Sequence, residues 1–346
     1  MNLASRLNGK TVAIKTYFGA VYCTRYIRPH YVRMLVDKIR EVGGTPFVTD
    51  TTTLDLRGQR GSAVSYLETA AMHGFTSETL GAPIVIADGL YGSDQVSIEI
   101  DGKQLRHIYI AKAIYEADFL LSLVHFKGHG LTGIGGTCKN LSMGCASKLG
   151  KNFAHYYDLP KVEKEKCNGC GECMTICPAK AVKMVQETAT IDEHLCFACR
   201  GCISVCRPKA ITNKRATQAD FNIRVADTVY GLTELIGKEN MSCFNLIIDV
   251  DWMCDCEHLE DGWSDVPIVP DIGIAASDDP VAVDQASTDL VNQSQGIPGS
   301  KAEEAGALKP GVDKFQLING VSPSVHLEAL EKLGVGIRKY ELAKIE

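Results

Sequence analysis

The chain has 346 residues, 45% of them apolar and 23% charged, which suffices to bury one large core or two modest ones and excludes a disordered polypeptide. Its formal net charge of −6 argues against nucleic acid as the main partner. The start, MNLASRLNGKTVAIK, holds no apolar run of secretory length and no stretch approaches a membrane span. The expectation is a soluble cytoplasmic protein with no membrane partner, in which fourteen cysteines signal metal rather than disulfides.

Up to about residue 160, short Val- and Ile-rich runs alternate with stretches of helical period, the pattern of a mostly parallel α/β sheet. TVAIKTY (11–17) reads as a strand. Val32, Leu35, Val36, Ile39 and Val42 line one face of a helix stopped by Gly43-Gly44, before the strand PFVTD (46–50). Val64, Leu67 and Ala71 mark a second helix ending near Gly74, PIVIAD (83–88) a strand, HIYIAKAIYEA (107–117) a helix and FLLSLVHF (119–126) a strand. The alternation stops near 161 and resumes after 214. Beyond it Phe221, Val225, Val229, Leu232 and Ile236 line a helix, while FNLIIDV (244–250) and VPIVPDIGIAAS (266–277) give strands. Asp279 before Pro280 reads as an N-cap; PSVHLEALEKLG (323–334) is a last helix and VGIRKYEL (335–342) a closing strand. The expected division is the first part of an α/β domain over 1–160, an inserted α+β module over 161–214, and the second part of the α/β domain over 215–346.

The module contains CNGCGECMTICP (167–178) and CFACRGCISVCRP (196–208), and each cysteine of the first recurs twenty-nine residues later. Each half is C-x₂-C-x₂-C-x₃-C, the run of bacterial ferredoxins, in which three close thiolates grip one [4Fe-4S] cubane and the fourth ligates the other. On that crossing pattern Cys167, Cys170, Cys173 and Cys206 hold one cluster, and Cys196, Cys199, Cys202 and Cys177 the second. Zinc modules usually pair two separated C-x₂-C knuckles, so a third cysteine packed after each would be wasted. Arg207 intervenes before Pro208, whereas Pro178 follows its cysteine directly. Residues 161–214 hold nine Lys or Arg and six Asp or Glu, 9 − 6 = +3, a basic patch suited to an acidic redox partner such as a ferredoxin, or simply a solvated face.

In open parallel sheets ligands bind beyond the carboxyl ends of the strands. The polar groups expected there are Asp50 with Thr51 to Thr53, Asp88-Gly89, Asp249 with Asp251, and the loop KGHGLTGIGGTCKNLSMGC (127–145). That loop offers His125, Lys127, His129, Lys139 and Asn140 as catalytic candidates. Gly128, Gly130 and Gly133 match G-x-G-x-x-G, but Gly135 and Gly136 follow where a helix should open, and no acidic residue stands about twenty positions on, so a dinucleotide site is disfavoured. DWMCDCEH (251–258) places Cys254 and Cys256 one residue apart beside Asp251, a candidate for an additional metal ion or substrate contact, with Cys138 and Cys145 able to approach from the glycine loop. Cys23 and Cys243 read as incidental thiols, and Asp271 and Asp284 as pocket or capping carboxylates.

HFKGHGLTGIGGTCKNLSMGCASKLGK, the two-cluster cysteine pattern, DWMCDC and DVPIVPDIGIAASDDPVAVDQASTDLV together resemble the iron-sulfur proteins grouped as domain-of-unknown-function family 362, across nearly the whole chain. The resemblance implies an α/β domain with an inserted two-[4Fe-4S] ferredoxin, carries over the eight cluster cysteines, and assigns no reaction. Two functions follow. One is an oxidoreductase passing electrons through two clusters to a small-molecule substrate or metal between the glycine loop and DWMCDC. The other is a ferredoxin-like carrier or assembly factor that docks a partner and has no substrate. Redox sensing is a third, weaker option.

Overall fold

The computed structural model describes residues 3–254 and 265–345. Six strands, β1 (Thr11–Lys15), β2 (Thr45–Asp50), β3 (Ile84–Ile86), β4 (Phe119–His125), β5 (Met241–Ile247) and β6 (Gly273–Ser277), form a sheet in the order β6-β5-β4-β1-β2-β3. Every neighbouring pair is parallel except β5 with β6. The two halves of the α/β sequence thus share one sheet.

Period-two alternation sends successive side chains to opposite faces. Val12, Ile14, Leu121 and Leu123 enter one core with Val32, Val36 and Ile39 of helix α1 (Pro29–Glu41) and Tyr66 and Ala70 of α2 (Ala63–Met72). Ala13, Leu120 and Cys243 enter the other. On that face lie Cys138 and Leu141 of α3 (Thr137–Ser142), the helices α5 (Gln218–Ile236), α6 (Pro280–Gln293) and α7 (Ser324–Lys332), and their Val229, Val281 and Leu330. Helix α4 (Lys148–His155) follows α3 on the approach to the cysteine-rich segment. Among the described residues no helix is long and apolar enough to cross a membrane.

Several expectations are corrected. HIYIAKAIYEA is not one helix: His107–Ala111 is a strand paired antiparallel with Gln95–Glu99, and only Lys112–Tyr115 is helical. Ile108 and Ile110 are buried on the alternating positions of that hairpin, so the period is two. In α2 Val64 and Leu67 are exposed, because the helix turns Tyr66 and Ala70 inward, where the Tyr66 hydroxyl donates to Asp50. VGIRKYEL forms no strand. It is held along α6 by side chains instead: Ile337 N–H donates to Asp279, Arg338 to Gln285 and the Tyr340 hydroxyl to Asp289. Asp279 does cap α6, accepting from Val281 and Ala282 N–H at 2.8 and 2.9 Å.

The cysteine-rich segment leaves and rejoins the body at one place. Tyr156 bridges Arg215, Tyr157 N–H donates to the Lys214 carbonyl at 2.8 Å, and Lys161–Val162 pairs antiparallel with Ile211–Thr212. Between them lie a hairpin, Val182–Val185 with Thr188–Ile191, and two short helices, Glu172–Thr175 and Gly201–Val205.

Candidate functional site

Chain order reverses between β1 and β4, and at such a reversal the flanking loops part and leave a crevice beyond the strand ends. A cleft of about 100 Å³ opens there. It is lined by Lys15 at the end of β1 and Tyr17 beyond it, Asp50 at the end of β2 with Thr51, Thr53 and Arg60 beyond it, His125 at the end of β4 and Lys127 beyond it, then Lys139 and Asn140 of α3, Lys151 of α4, and Cys254.

At its floor is a buried ion pair. Lys15 Nζ lies 2.9 Å from Asp50 Oδ1 and donates to Asn140 Oδ1 at 2.7 Å and to the Thr16 carbonyl at 3.1 Å. Asp50 also accepts from Thr51 N–H at 2.7 Å and from the Tyr66 hydroxyl, and Asn140 Nδ2 donates to Ser122 Oγ at 2.9 Å. With every partner in place the charges tolerate burial, and the network holds the ends of β1, β2 and β4 in one arrangement. Lys151 donates to Thr51 Oγ1 and the Ala146 carbonyl, both at 2.6 Å, and burial lowers its pKa to about 8 against the pull of Asp88. Lys148, one turn earlier, donates to the Thr53 carbonyl and is likewise lowered to about 8 by burial.

Four of the five catalytic candidates, His125, Lys127, Lys139 and Asn140, line this cleft; His129 is not among its lining residues. His125 Nε2 lies 3.0 and 3.1 Å from the carbonyls of Ile248 and Asp249, which can only accept, so Nε2 carries the proton. His129 Nδ1 instead accepts from Leu131 and Thr132 N–H at 3.1 and 3.2 Å, holding the turn of a hairpin formed by Lys127–His129 and Gly133–Gly135. Burial first, and the charge of Lys139 next, keep its imidazole well below the ordinary pKa and so neutral.

That hairpin explains the glycines. A Cβ on Gly128 would stand 1.8 Å from the Trp252 carbonyl oxygen, so the residue permits two backbones to touch rather than a phosphate to approach. The N-terminus of α3 is occupied by the chain itself, because buried Asp284 accepts from Thr137 and Cys138 N–H at 2.7 and 2.8 Å. Asp284 is thus a capping carboxylate. Cys138 and Cys145 are buried and donate to the carbonyls of Pro280 and Asn140, and burial raises the Cys145 thiol to about 12.

In DWMCDCEH, Cys254 is buried with Lys139 Nζ 3.7 Å from its sulfur. Asp251 is fully buried, accepts from Trp252 N–H at 2.7 Å and lies 3.8 Å from Arg25 Nε, while Nη1 of the same arginine lies 3.6 Å from Asp249. Cys256 lies outside the described residues. Among the described residues no three His, Cys, Asp or Glu side chains stand so as to hold a single metal ion.

The eight cysteines of the repeat separate into two small cavities. One is lined by Cys167, Cys170, Cys173 and Cys206, with Met184, Pro208 and Ile211. The other is lined by Cys177, Cys196, Cys199 and Cys202, with Pro160, Val182 and Ile191. The 29-residue repeat recurs in the backbone, for Gly169 and Ala198, Gly171 and Arg200, and Lys180 and Lys209 all have φ between 52° and 74°. Ala181 and Ala210 N–H donate to the sulfurs of Cys177 and Cys206 at 3.3 and 3.2 Å.

Lys15, Tyr17, Arg60, Lys148 and Lys151 escape the sequence reading. The available signal was a lysine closing the apolar run TVAIK, where a charge must be either paired or at a site.

The family model described as Domain of unknown function (DUF362) matches residues 12–289. Among solved structures the chain is similar to the lactate racemase apoprotein from Thermoanaerobacterium thermosaccharolyticum, at 17% identity and a TM-score of 0.38, over 72% of this chain and 45% of that one. It is similar also to a protein from Thermotoga maritima, at 13% identity and a TM-score of 0.43, over 85% of this chain and 57% of that one. The chain therefore spans about half the length of each of these structures. No curated protein matches it.

Proposed function

Because the chain belongs to the DUF362 family, whose description assigns no function, we propose one from its own site: an iron-sulfur oxidoreductase that passes electrons from a redox partner protein to a small molecule bound at the β1/β4 cleft. The observation that carries this reading is the pair of four-cysteine cavities, one of them set against the loop that walls the cleft. Four thiols around an otherwise apolar void, with N–H groups directed at sulfur, fit a [4Fe-4S] cubane in donor type and number. Such clusters, when bound, supply one-electron redox chemistry.

The residues of the cleft define the acceptor. Among the described residues, the cations Lys15, Arg60, Lys127, Lys139 and Lys151 and the single carboxylate Asp50 line it, a donor set suited to carboxylate or phosphate oxygens. Arg60 and Lys127 stand 5.4 and 5.7 Å over the Tyr17 ring, which orients both heads without adding negative charge. His125, its Nε2 donating to the Ile248 and Asp249 carbonyls, stands at the cleft wall. A volume of about 100 Å³ suits a small acid and is well below the several hundred Å³ that a drug-sized ligand fills.

The test is iron, sulfide and zinc analysis of anaerobically purified full-length protein, with spectroscopy of the dithionite-reduced form. About eight irons and two one-electron centres are expected. Zinc in place of iron overturns the reading, and metal beyond that number would assign Cys254 and Cys256 to a further ion.

A further inference from the structure

Lys15 and Lys151 both line the cleft and both are buried, but their hydrogen bonds separate their roles. An ammonium has three N–H donors. Lys15 commits all three, to Asp50, Asn140 and the Thr16 carbonyl, and the Gly144 backbone covers its head so closely that a Cβ there would run into Nζ. Lys151 commits two, to Thr51 Oγ1 and the Ala146 carbonyl at 2.6 Å each, and its third N–H has no acceptor among the described residues. Both of those partners can only accept. The carbonyl has no proton, and the Thr51 hydroxyl donates its own to the Gly144 carbonyl at 3.0 Å. When Lys151 loses a proton it therefore keeps the two bonded N–H groups, and the lone pair takes the third position, which no protein group fills.

We infer that Lys151 is the acid–base group of the cleft, presenting one exchangeable proton to the bound small acid, while Lys15 is a strut that positions the strand ends. The inference rests on the oxidoreductase reading above. Two one-electron transfers from the redox partner protein, delivered to a small acid with a reducible double bond, are matched by two protons. Lys151 gives one of them: its N–H bond breaks, the electron pair stays on nitrogen, and a C–H or O–H bond forms on the acid. Water supplies the second proton and afterwards restores the ammonium. The charged and titratable groups acting on Lys151 are Asp88 beyond β3, Asp50 at the end of β2, Lys15 at the end of β1, Cys145 between α3 and α4, and Lys148 and His155 on α4 itself. Burial outweighs the attraction of Asp88 and Asp50 and lowers the ammonium to about 8, where its charged and neutral forms are both populated.

The experiment treats the full-length anaerobic protein with glyoxylate, a small carboxylate that carries an aldehyde, and cyanoborohydride, and reads the modified lysines by mass spectrometry. A neutral amine facing the cleft attacks the aldehyde carbon, water leaves, and hydride from the reagent fixes the imine as a secondary amine. At pH 8 about half of an amine with that pKa is neutral, against well under about 1% of an ordinary lysine, so Lys151 should react about a hundredfold faster than the exposed lysines. Its rate should level off above about pH 8, acetate should protect it, and Lys15 should stay unlabelled. A Lys151 rate no greater than that of exposed lysines, equal labelling of Lys15, or no protection by acetate overturns the inference. A second measurement is acetate calorimetry near pH 8 in buffers of different ionisation enthalpy. Lys151→Arg should still bind acetate but lose the proton uptake, since a guanidinium stays charged; uptake of wild-type size in this variant overturns the inference. The labelling needs no variant and decides the matter even if Lys151→Arg fails to fold. Iron well short of about eight per chain is a failure of the iron-sulfur reading and is recognised separately, because the labelling does not depend on bound metal.

Discussion

Asp50→Asn separates the two duties of the cleft, because stability and ligand binding should move in opposite directions. In the native chain the Lys15 ammonium and Asp50 carboxylate lie 2.9 Å apart, both almost fully buried. At an effective dielectric of 20 that separation corresponds to about 332/(20 × 2.9), or ~6 kcal/mol of gross attraction, much of it offset by desolvation. Removing one partner of a buried pair costs about 3–5 kcal/mol, and Lys15 keeps its bonds to Asn140 and the Thr16 carbonyl, which favours the lower end. A loss of about 3 kcal/mol lowers a urea midpoint by about 1 M for a slope near 3 kcal/mol/M. Midpoints are compared anaerobically by circular dichroism. In the cleft the same change leaves Lys15 without its carboxylate neighbour, and affinity for a small carboxylate probe such as acetate should rise about tenfold, or ~1.4 kcal/mol, by calorimetry. Lys15→Met combined with Asp50→Asn should recover much of the stability and lose the gain in affinity. A midpoint within about 0.3 M of wild type, or weaker acetate binding by Asp50→Asn, would refute the reasoning.

Lys151 gives the cleft a pH dependence. Its folded pKa of about 8 lies below the ordinary 10.5, so from 8 to 10.5 the folded chain binds fewer protons than the unfolded one and this residue's contribution to stability rises with pH. A bound oxyanion favours the ammonium, so acetate binding near pH 8 should take up protons and weaken as pH climbs; equal binding heats in buffers of different ionisation enthalpy would contradict this. Gly128→Ala should destabilise by about 1–3 kcal/mol or more, since its Cβ meets the Trp252 carbonyl at 1.8 Å. Gly9→Ala, with φ +73 but no atom within 4 Å, should cost only about 1 kcal/mol, and a thermal melt ranks the two. Cys254→Ala should leave the iron and sulfide content of the two cysteine cavities unchanged while weakening acetate binding; a drop in iron would link Cys254 to the clusters.

What the sequence disclosed depended on how locally each feature is encoded. The cysteine halves are legible because three ligands fall within seven residues and the repeat doubles the signal. Helices α1, α5 and α6 are legible from period and caps, which act over one or two turns. His107–Ala111 was not, because its helix-favouring continuation, KAIYEA, outvoted an alternation of only five residues. The closing segment VGIRKYEL carries strand-like composition, but β6 is already the sheet edge on that side and α6 offers polar side chains instead of a ladder. Lys15, Arg60 and Lys151 lie scattered over more than a hundred positions, and only the reversal of strand order between β1 and β4 brings them together.

The same distinction reinterprets the glycine-rich loop and DWMC, which as sequences look like two separate motifs. Gly128 N–H donates to the Asp251 carbonyl at 2.9 Å, Gly128 lies against the Trp252 carbonyl, and Asn319 also donates to that carbonyl at 2.9 Å. Lys127 and Lys139 reach the cleft from one of these segments and Cys254 from the other, with Lys139 at 3.7 Å from the Cys254 sulfur. The two are therefore one wall built from two backbones in contact. Glycine is needed at that contact because any side chain would part the strands and move Lys127 away from Tyr17, which it now overlies at 5.7 Å. The density of glycine beside the cleft is accordingly a packing requirement whose functional effect is indirect: it brings the cationic side chains of one segment against the thiol of the other.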